Sequence, residues 1–342
     1  MPKYNKIYVV APYAHATGGV ELSHQLVDFL RNNNQDAYII YTQDAINIKT
    51  NATITTEYIN YNIQVSNNIE DDRNNILILP EIYFDWIYIY KNIQVGCWWM
   101  SVDNHYTACS FFDILSFKKG IINKLRFIFS SFKNIIQHDY HPYRNSIKDL
   151  KSQGHRIMHF YQSHYAQFHL YQLNLSRIFP LSDYINLEFI NYKQQIKKEN
   201  IILYNPAKGG DFVRELINLM PNHKFIPLKN LTRIQVRELF TRAKLYIDFG
   251  HFPGKDRLPR EAIVNNCCII TGKKGASRFF EDIPIPETYK FDIEHTSLSC
   301  IKKRIINILD HYESCIQDFL YMKKEILLEK DQFHKEIKNI FI

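Results

Sequence analysis

Three glycine-bearing segments of this 342-residue chain carry the residue types that could do chemistry, and each leaves an apolar strand-like run to open a helical pattern. The first is Tyr204-Asn205-Pro206-Ala207-Lys208-Gly209-Gly210-Asp211. Amides at a helix N-terminus attract phosphate, glycines let backbone approach a ligand closely, and Lys208 adds a positive charge. Neither the Walker nor the dinucleotide glycine pattern is present. The second, Gly250 to Ala262, sets the cations Lys255, Arg257 and Arg260 beside Asp256 and Glu261, at a strand's C-terminal end, where α/β sheets bind ligands. Arginine grips phosphate bidentately, and a carboxylate in the first helical turn can accept two vicinal hydroxyls. The third, Thr17-Gly18-Gly19-Val20-Glu21, repeats the strand-to-helix turn. Each segment alone also reads as an ordinary turn. Together, on comparable loops of two α/β halves, they would offer helix N-termini to one cleft.

The elements that must position these loops alternate in period. Strands are expected at Lys6–Ala11, Ala37–Thr42, Asn75–Leu79, Ile93–Val102 and Arg156–Gln162, with helices at Val20–Asn32, Ile82–Tyr90 and Ser163–Leu173. A charged segment over 191–200 precedes a second alternation: strands Ile201–Tyr204, Lys224–Pro227, Leu245–Phe249 and Cys268–Thr271, and helices Phe212–Met220, Thr232–Ala243 and Pro259–Asn266. Thr232 and Gln235 have capping-box spacing, and Pro259 suits a first helical turn. Strands alternating with helices imply parallel sheets with crossover helices.

Length, at roughly 150 residues per domain, suggests about two domains. Hydrophobic residues make up 46% and charged residues 23%, which excludes a disordered chain. The six cysteines show no C-x-x-C spacing, so a zinc site or redox pair is not expected. The run Ile76 to Tyr90 is broken by Pro80, Glu81 and Asp85 and cannot span a membrane, and no signal peptide opens the chain. A cytoplasmic protein is expected. The 23 Tyr and 23 Phe beside 3 Trp read as codon bias. The net charge of +7 suits an anionic ligand or membrane surface, and suits a solvated surface equally. Phe117 to Lys133 is the most basic and aromatic stretch. As a helix it would align Phe117, Ile121, Leu125, Ile128 and Phe132, with Lys119, Arg126 and Lys133 beside Ile122 and Phe129. That pattern fits an interfacial helix on the inner leaflet, and also a helix packed on a domain.

These residues resemble a family. Gly18-Gly19-Val20-Glu21 resembles the G-G-x-E turn of GT-B glycosyltransferases, near glycosyltransferase family 4. Ser176 to Asp183 is similar to the stretch that closes their N-terminal domain, Asn205 to Gly209 to their R-x-x-x-K-G segment, and Leu245 to Thr271 to their long signature. Asn205 stands where that family has Arg, and Pro253 where it has the first of two Glu spaced eight apart. The run Gly254 to Glu261 resembles bacterial surface-polysaccharide glycosyltransferases. The resemblance implies an α/β chain of two Rossmann-like domains facing a cleft (GT-B). The N-terminal acceptor-binding domain would span 1–180, a linker 181–200, the nucleotide-sugar-binding domain 201–298, and helices packing back on the N-terminal domain 299–342.

It also implies transfer of a sugar from a nucleotide sugar, the co-substrate, to a glycan or lipid-linked acceptor of capsule, lipopolysaccharide or lipooligosaccharide type. No cofactor, metal ion or nucleic-acid partner is expected. Glu261 inherits the contact to the nucleotide ribose. Lys208 inherits the leaving diphosphate, with Gly209, Lys255, Arg257 and Arg260 around it; Gly18, Gly19 and Glu21 would lie near donor or acceptor. Charge grows on the diphosphate in the transition state, so fixed cations and helix dipoles there lower the barrier. An inverting enzyme also needs a base for the acceptor's proton; Asp103, His105 and His15 are the candidates. Two other readings stand beside this one: a sugar-nucleotide epimerase or hydrolase of similar fold, and a non-enzymatic polyanion binder.

Overall fold

The computed structural model describes residues 3–15, 17–43, 47–108, 115, 120–138, 147–192 and 196–342, with the backbone alone at 107, 108 and 133–138. The chain divides into two compact units. The first comprises Met1–Gln162, Ala166–Ser182 and Phe333–Ile342; the second comprises Ser163–Tyr165 and Asp183–Gln332.

Unit 1 is built on a parallel sheet of β1 (Ile7–Pro12), β2 (Ala37–Thr42), β3 (Ile76–Pro80), β4 (Gln94–Trp99), β5 (Ile157–Tyr161) and β6 (Ile178–Pro180), in the order β2-β1-β3-β4-β5-β6. Unit 2 has β7 (Glu199–Tyr204), β8 (Lys224–Pro227), β9 (Ala243–Asp248), β10 (Cys268–Gly272) and β11 (Lys290–Phe291), also parallel, in the order β11-β10-β9-β7-β8. Taken from each unit's own first strand, the sheet of unit 2 runs 2-1-3-4-5 and that of unit 1 has the same order with a sixth strand added at its edge. The apolar runs follow from this: a parallel strand covered on both faces needs apolar side chains at consecutive positions. Val9, Val10 and Ala11 are fully buried, as are Leu245, Tyr246 and Ile247.

The helices mostly begin where local chemistry directs. Thr232 Oγ1 accepts the Gln235 N–H at 3.3 Å, and Gln235 Oε1 accepts the Thr232 N–H at 2.8 Å, closing the capping box of the helix Arg233–Arg242. The helix Arg257–Val264 takes Pro259 in its first turn, where a missing N–H costs nothing. Two local expectations differ, and two strands had none. The segment after β3 is a 3₁₀ helix, Glu81–Tyr88, in which Tyr83, Phe84, Trp86 and Ile87 are all buried; an amphipathic α-helix would have turned some of them outward. β4 stops at Trp99, and the helix Val102–Ala108 follows. β6 and β11 have three and two residues, too short for a readable period.

The Trp pair is core. Trp98 Nε1 donates to Leu181 O at 2.8 Å and Trp99 Nε1 to His159 Nδ1 at 3.2 Å, and both rings are fully buried. The helix Leu320–Phe341 sends its last residues into the same core, where Phe333 stacks on Trp98 at 6.4 Å between centroids and Phe341 lies 5.9 Å from Phe160. Glu336 accepts the N–H and the hydroxyl of Ser182, each at 2.7 Å.

Close packing across β3, β4 and β5 turns on Gly96. A Cβ there would stand 2.3 Å from the Phe160 ring and 2.7 Å from Ile78 Cδ1. Gly96→Ala is expected to lower stability by about 1–3 kcal/mol, the usual cost of overpacking, read as a lower urea midpoint with an unchanged slope.

Candidate functional site

In unit 2, β7 connects to β8 on one side and β9 to β10 on the other, so the connections diverge between β7 and β9. Ligands of open α/β sheets bind beyond the strand ends at such a switch point. The loop after β7 begins with an Asx turn, Asn205 Oδ1 accepting the Ala207 N–H at 3.0 Å, and ends at Gly209, which caps the helix Gly210–Leu219 with φ of 67°. The loop after β9 presses directly on it. A Cβ at Gly209 would lie 2.8 Å from the Phe249 carbonyl carbon, and one at Gly250 would lie 2.3 Å from Lys208 Cβ. The two loops therefore touch backbone to backbone, and only glycine permits this at both positions.

This contact delivers Lys208 to the start of the helix Arg257–Val264. Its ammonium pairs with the carboxylate of Asp256, the residue before that helix, and lies 5.5 Å from the Phe252 ring centroid. Asp248, the last residue of β9, is buried; it accepts the Gly250 N–H at 3.0 Å and the Tyr246 hydroxyl at 2.8 Å. Burial pushes its carboxyl up to about 6 against the pull of those donors. Burial also raises Asp256, with Lys208 opposing.

One turn into the helix, Arg260 is fully buried and all five of its N–H donors are engaged. Asp183 takes two, at 2.9 and 2.6 Å, and Glu329 one at 2.8 Å; the carbonyls of Asp256 and Lys255 take the others at 3.2 and 3.0 Å. Lys255 Nζ meets the second oxygen of Glu329 at 2.8 Å. Two cations and two carboxylates thus neutralise one another. Burial acts to raise the Asp183 carboxyl, but Arg260 and its neighbouring cations hold it below the usual range. Arg257 is half-buried at the first helical position, and Glu261 is buried one turn on.

Unit 1 has its own switch point between β1 and β3. The turn Gly18–Gly19 opens the helix Gly18–Asn32, and a Cβ at Gly19 would stand 3.3 Å from Met100 Sδ, just beyond β4. His15, exposed in the loop after β1, has Nδ1 2.7 Å from Tyr13 O. Only a protonated Nδ1 can donate to a carbonyl, so in the neutral ring Nε2 carries the basic lone pair. Glu81, immediately after β3, is buried and accepts the Met100 N–H at 3.2 Å; burial pushes it up to about 7.

No protein-family model and no curated protein sequence matches the chain. Solved structures do. Anabaena HepE in complex with UDP and glucose superposes with a TM-score of 0.61 at 11% identity, over 98% of this chain and 99% of that one. WaaG, a glycosyltransferase involved in lipopolysaccharide biosynthesis, gives 0.53 at 12% over 97% and 99%. The chain has the GT-B fold. TarM gives 0.54 at 14%, over 79% of this chain, which spans about half of TarM's length (55%).

Within this GT-B chain the expected donor residues part into two groups. Lys208, Gly209 and Gly250 meet at the β7–β9 switch point, with Arg257 and Glu261 on the adjoining helix. Arg260, expected to grip a diphosphate, is instead spent wholly on Asp183, Glu329 and two carbonyls, and Lys255 is tied into the same network. Glu21, expected near donor or acceptor, is buried and accepts the Tyr61 hydroxyl at 3.1 Å. Asp103 and His105 stand on the helix Val102–Ala108 and are buried; the His105 ring lies 4.8 Å from Trp99 and 5.4 Å from Phe84. A fully enclosed imidazole does not reach an acceptor hydroxyl, whereas His15 is open.

Asp183, Asp248, Glu81 and Glu329 escaped sequence reasoning, because a lone carboxylate inside an apolar run or a charged helix gives no pattern. Position was the usable signal: Glu81 and Asp248 both stand at strand C-termini. Arg260→Leu is expected to destabilise by about 3–5 kcal/mol, since it strands two buried carboxylates. Asp183 is depressed, so the pair's contribution is present above the unfolded carboxylate range and is lost as pH falls through the folded value. Urea melts at pH 7 and pH 3 should therefore show the wild-type advantage shrinking in acid.

Proposed function

We propose that the chain is a metal-independent glycosyltransferase that moves a sugar from a nucleotide-sugar donor to a growing surface glycan. The observation that carries this reading is the backbone-to-backbone contact of the loops after β7 and β9, which holds Lys208 between two helix N-termini at a switch point. The GT-B likeness to HepE, crystallised with UDP and glucose, and to WaaG supports a nucleotide-sugar donor.

In this mechanism the donor diphosphate lies over the N-terminus of Gly210–Leu219. As its bond to the sugar breaks, the growing negative charge meets the helix amides, Lys208 and Arg257. Glu261 binds the ribose. Gly18 and Gly19 admit backbone amides close to donor or acceptor. Of the three candidate bases His15 is best disposed, with Nε2 basic and the ring exposed.

Thermal shift against UDP, GDP, CMP, dTDP and their sugars tests the donor site. A ligand at 100 times its Kd stabilises by about 2.7 kcal/mol. Lys208→Ala is expected to abolish the shift. His15→Asn should keep it while lowering turnover about 10²–10⁴-fold, and EDTA should leave turnover unchanged. A protein that no nucleotide stabilises would overturn the reading.

We also propose that the helix Ile121–His138 docks on anionic lipid at the inner leaflet, close to a lipid-linked acceptor. Ile121 and Phe129 are 76% and 73% exposed, Ile122, Leu125 and Phe132 are exposed too, and Lys124 and Arg126 lie among them. Phe117, Lys118 and Lys119 lie outside the described residues. Among the described residues no helix is long and apolar enough to cross a membrane. An exposed apolar stripe beside cations suits a helix lying in the interface. The wild type should float with phosphatidylglycerol vesicles and not with phosphatidylcholine alone, and Phe129→Glu should stay in the pellet fraction. Wild type that ignores both vesicles would refute the docking.

A further inference from the structure

Lys208 offers the ammonium that a donor diphosphate would meet first, and that ammonium is engaged with Asp256. The carboxylate stands in a crowded electrostatic setting. Lys208 faces it from the loop after β7, His251 from its own loop, Arg260 from the following helix and Asp248 from the end of β9, with Tyr246 beyond. Arg260 has no N–H left to give, because Asp183, Glu329 and two carbonyls use all five. Asp248 is a second carboxylate in the same enclosure, held by Tyr246 and the Gly250 amide. A diphosphate brought to Lys208 therefore adds negative charge beside the buried Asp248 and the part-buried Asp256, both of which lean on that one ammonium.

The geometry points to Asp256 as an internal counter-ion that a bound diphosphate displaces from Lys208, so that donor binding draws one proton from solvent onto Asp256. This rests on the donor-site reading above. The displaced carboxylate cannot turn to Arg260, whose five donors are all engaged, and it sits against an anion. Like charges crowded in a largely enclosed site disfavour full ionisation, so the displaced carboxyl takes a proton. The neutral acid then donates its O–H toward a phosphate oxygen rather than repelling it. Asp256 thus keeps Lys208 folded over the loop and makes diphosphate affinity pH-dependent. The direction agrees with the tendency of burial to raise this carboxyl.

Calorimetric titration with UDP, GDP, CDP and dTDP in Tris and in HEPES at pH 7.5 counts the protons. That pH stands clear of the phosphate's own titration near pH ~6. The wild type should take up about half to one proton per bound diphosphate, and its apparent Kd should rise by up to about tenfold per pH unit above 7.5. Asp256→Asn should take up none, hold a flat Kd and bind about threefold to tenfold more tightly at pH 8. The Asp256 side chain makes no capping hydrogen bond, so the amide removes none, and an unchanged unfolding midpoint confirms the fold. Equal uptake in wild type and variant would assign the proton to His251 or Asp248 and overturn the inference. So would a wild-type Kd that is flat from pH 7.5 to 9, a readout that needs no variant. If no probe binds at all, the donor-site reading itself fails.

Discussion

The constraint on which the second unit depends is the absence of two side chains. Gly209 and Gly250 let the backbone after β7 touch the backbone after β9. Any Cβ at either position would force apart the loops that carry Lys208 and Asp256. Separation would change more than one contact. It would move the N-terminus of Gly210–Leu219 away from that of Arg257–Val264, and with it the alignment of amides that makes a switch point attractive to anions. The ion pair between Lys208 and Asp256 follows from that contact, because a lysine stem can reach the next helix only when the loops are in van der Waals range.

Charge is arranged around this point with a clear division. The chain carries an excess of seven positive charges, yet the buried network beside the switch point balances two cations against two carboxylates. Arg260, Asp183, Glu329 and Lys255 hold the segment before β7, the helix Arg257–Val264 and the helix Leu320–Phe341 together. A buried arginine with a donor left over would carry a desolvation cost without compensation. Here every donor has an acceptor. The residue most like a phosphate clamp by type is thus the one least able to act as one, and the exposed excess of charge falls elsewhere, including the helix Ile121–His138.

The legible parts of the sequence were those with a period or a punctuation mark. Lys6–Ala11, Leu245–Phe249 and Cys268–Thr271 announced themselves as buried parallel strands because both faces must be apolar. Thr232 with Gln235, and the pairs Gly18–Gly19 and Gly209–Gly210, marked helix starts. What stayed hidden was tertiary. Nothing local distinguishes Arg260 from Arg257, three residues apart on one helix; the difference is made by Asp183 and Glu329, 77 and 69 residues away. His105 reads as a base by residue type, and only the packing of Phe84 and Trp99 around it removes that role. The 3₁₀ turn after Pro80 was likewise decided by aromatic burial rather than by propensity.

Both sheets repeat one device that their shared strand order makes comparable. β3 and β9 are each the strand that turns away at the switch point, and each ends in a buried acid: Glu81 directly after β3, Asp248 as the last residue of β9. Each acid accepts a loop amide, Glu81 from Met100 and Asp248 from Gly250. Each is raised by burial, to about 7 and about 6. A carboxyl raised by burial opposes folding increasingly as pH climbs from its unfolded value to its folded one, so such residues carry a cost at neutral pH that the loops they tie down must offset. In unit 1 the tied loop leads into the helix bearing Asp103 and His105 and lies against Gly19; in unit 2 it leads to Lys208's partner. The same strand position in two units of unrelated sequence thus plays one mechanical part, tying a loop backbone to the rigid end of the sheet.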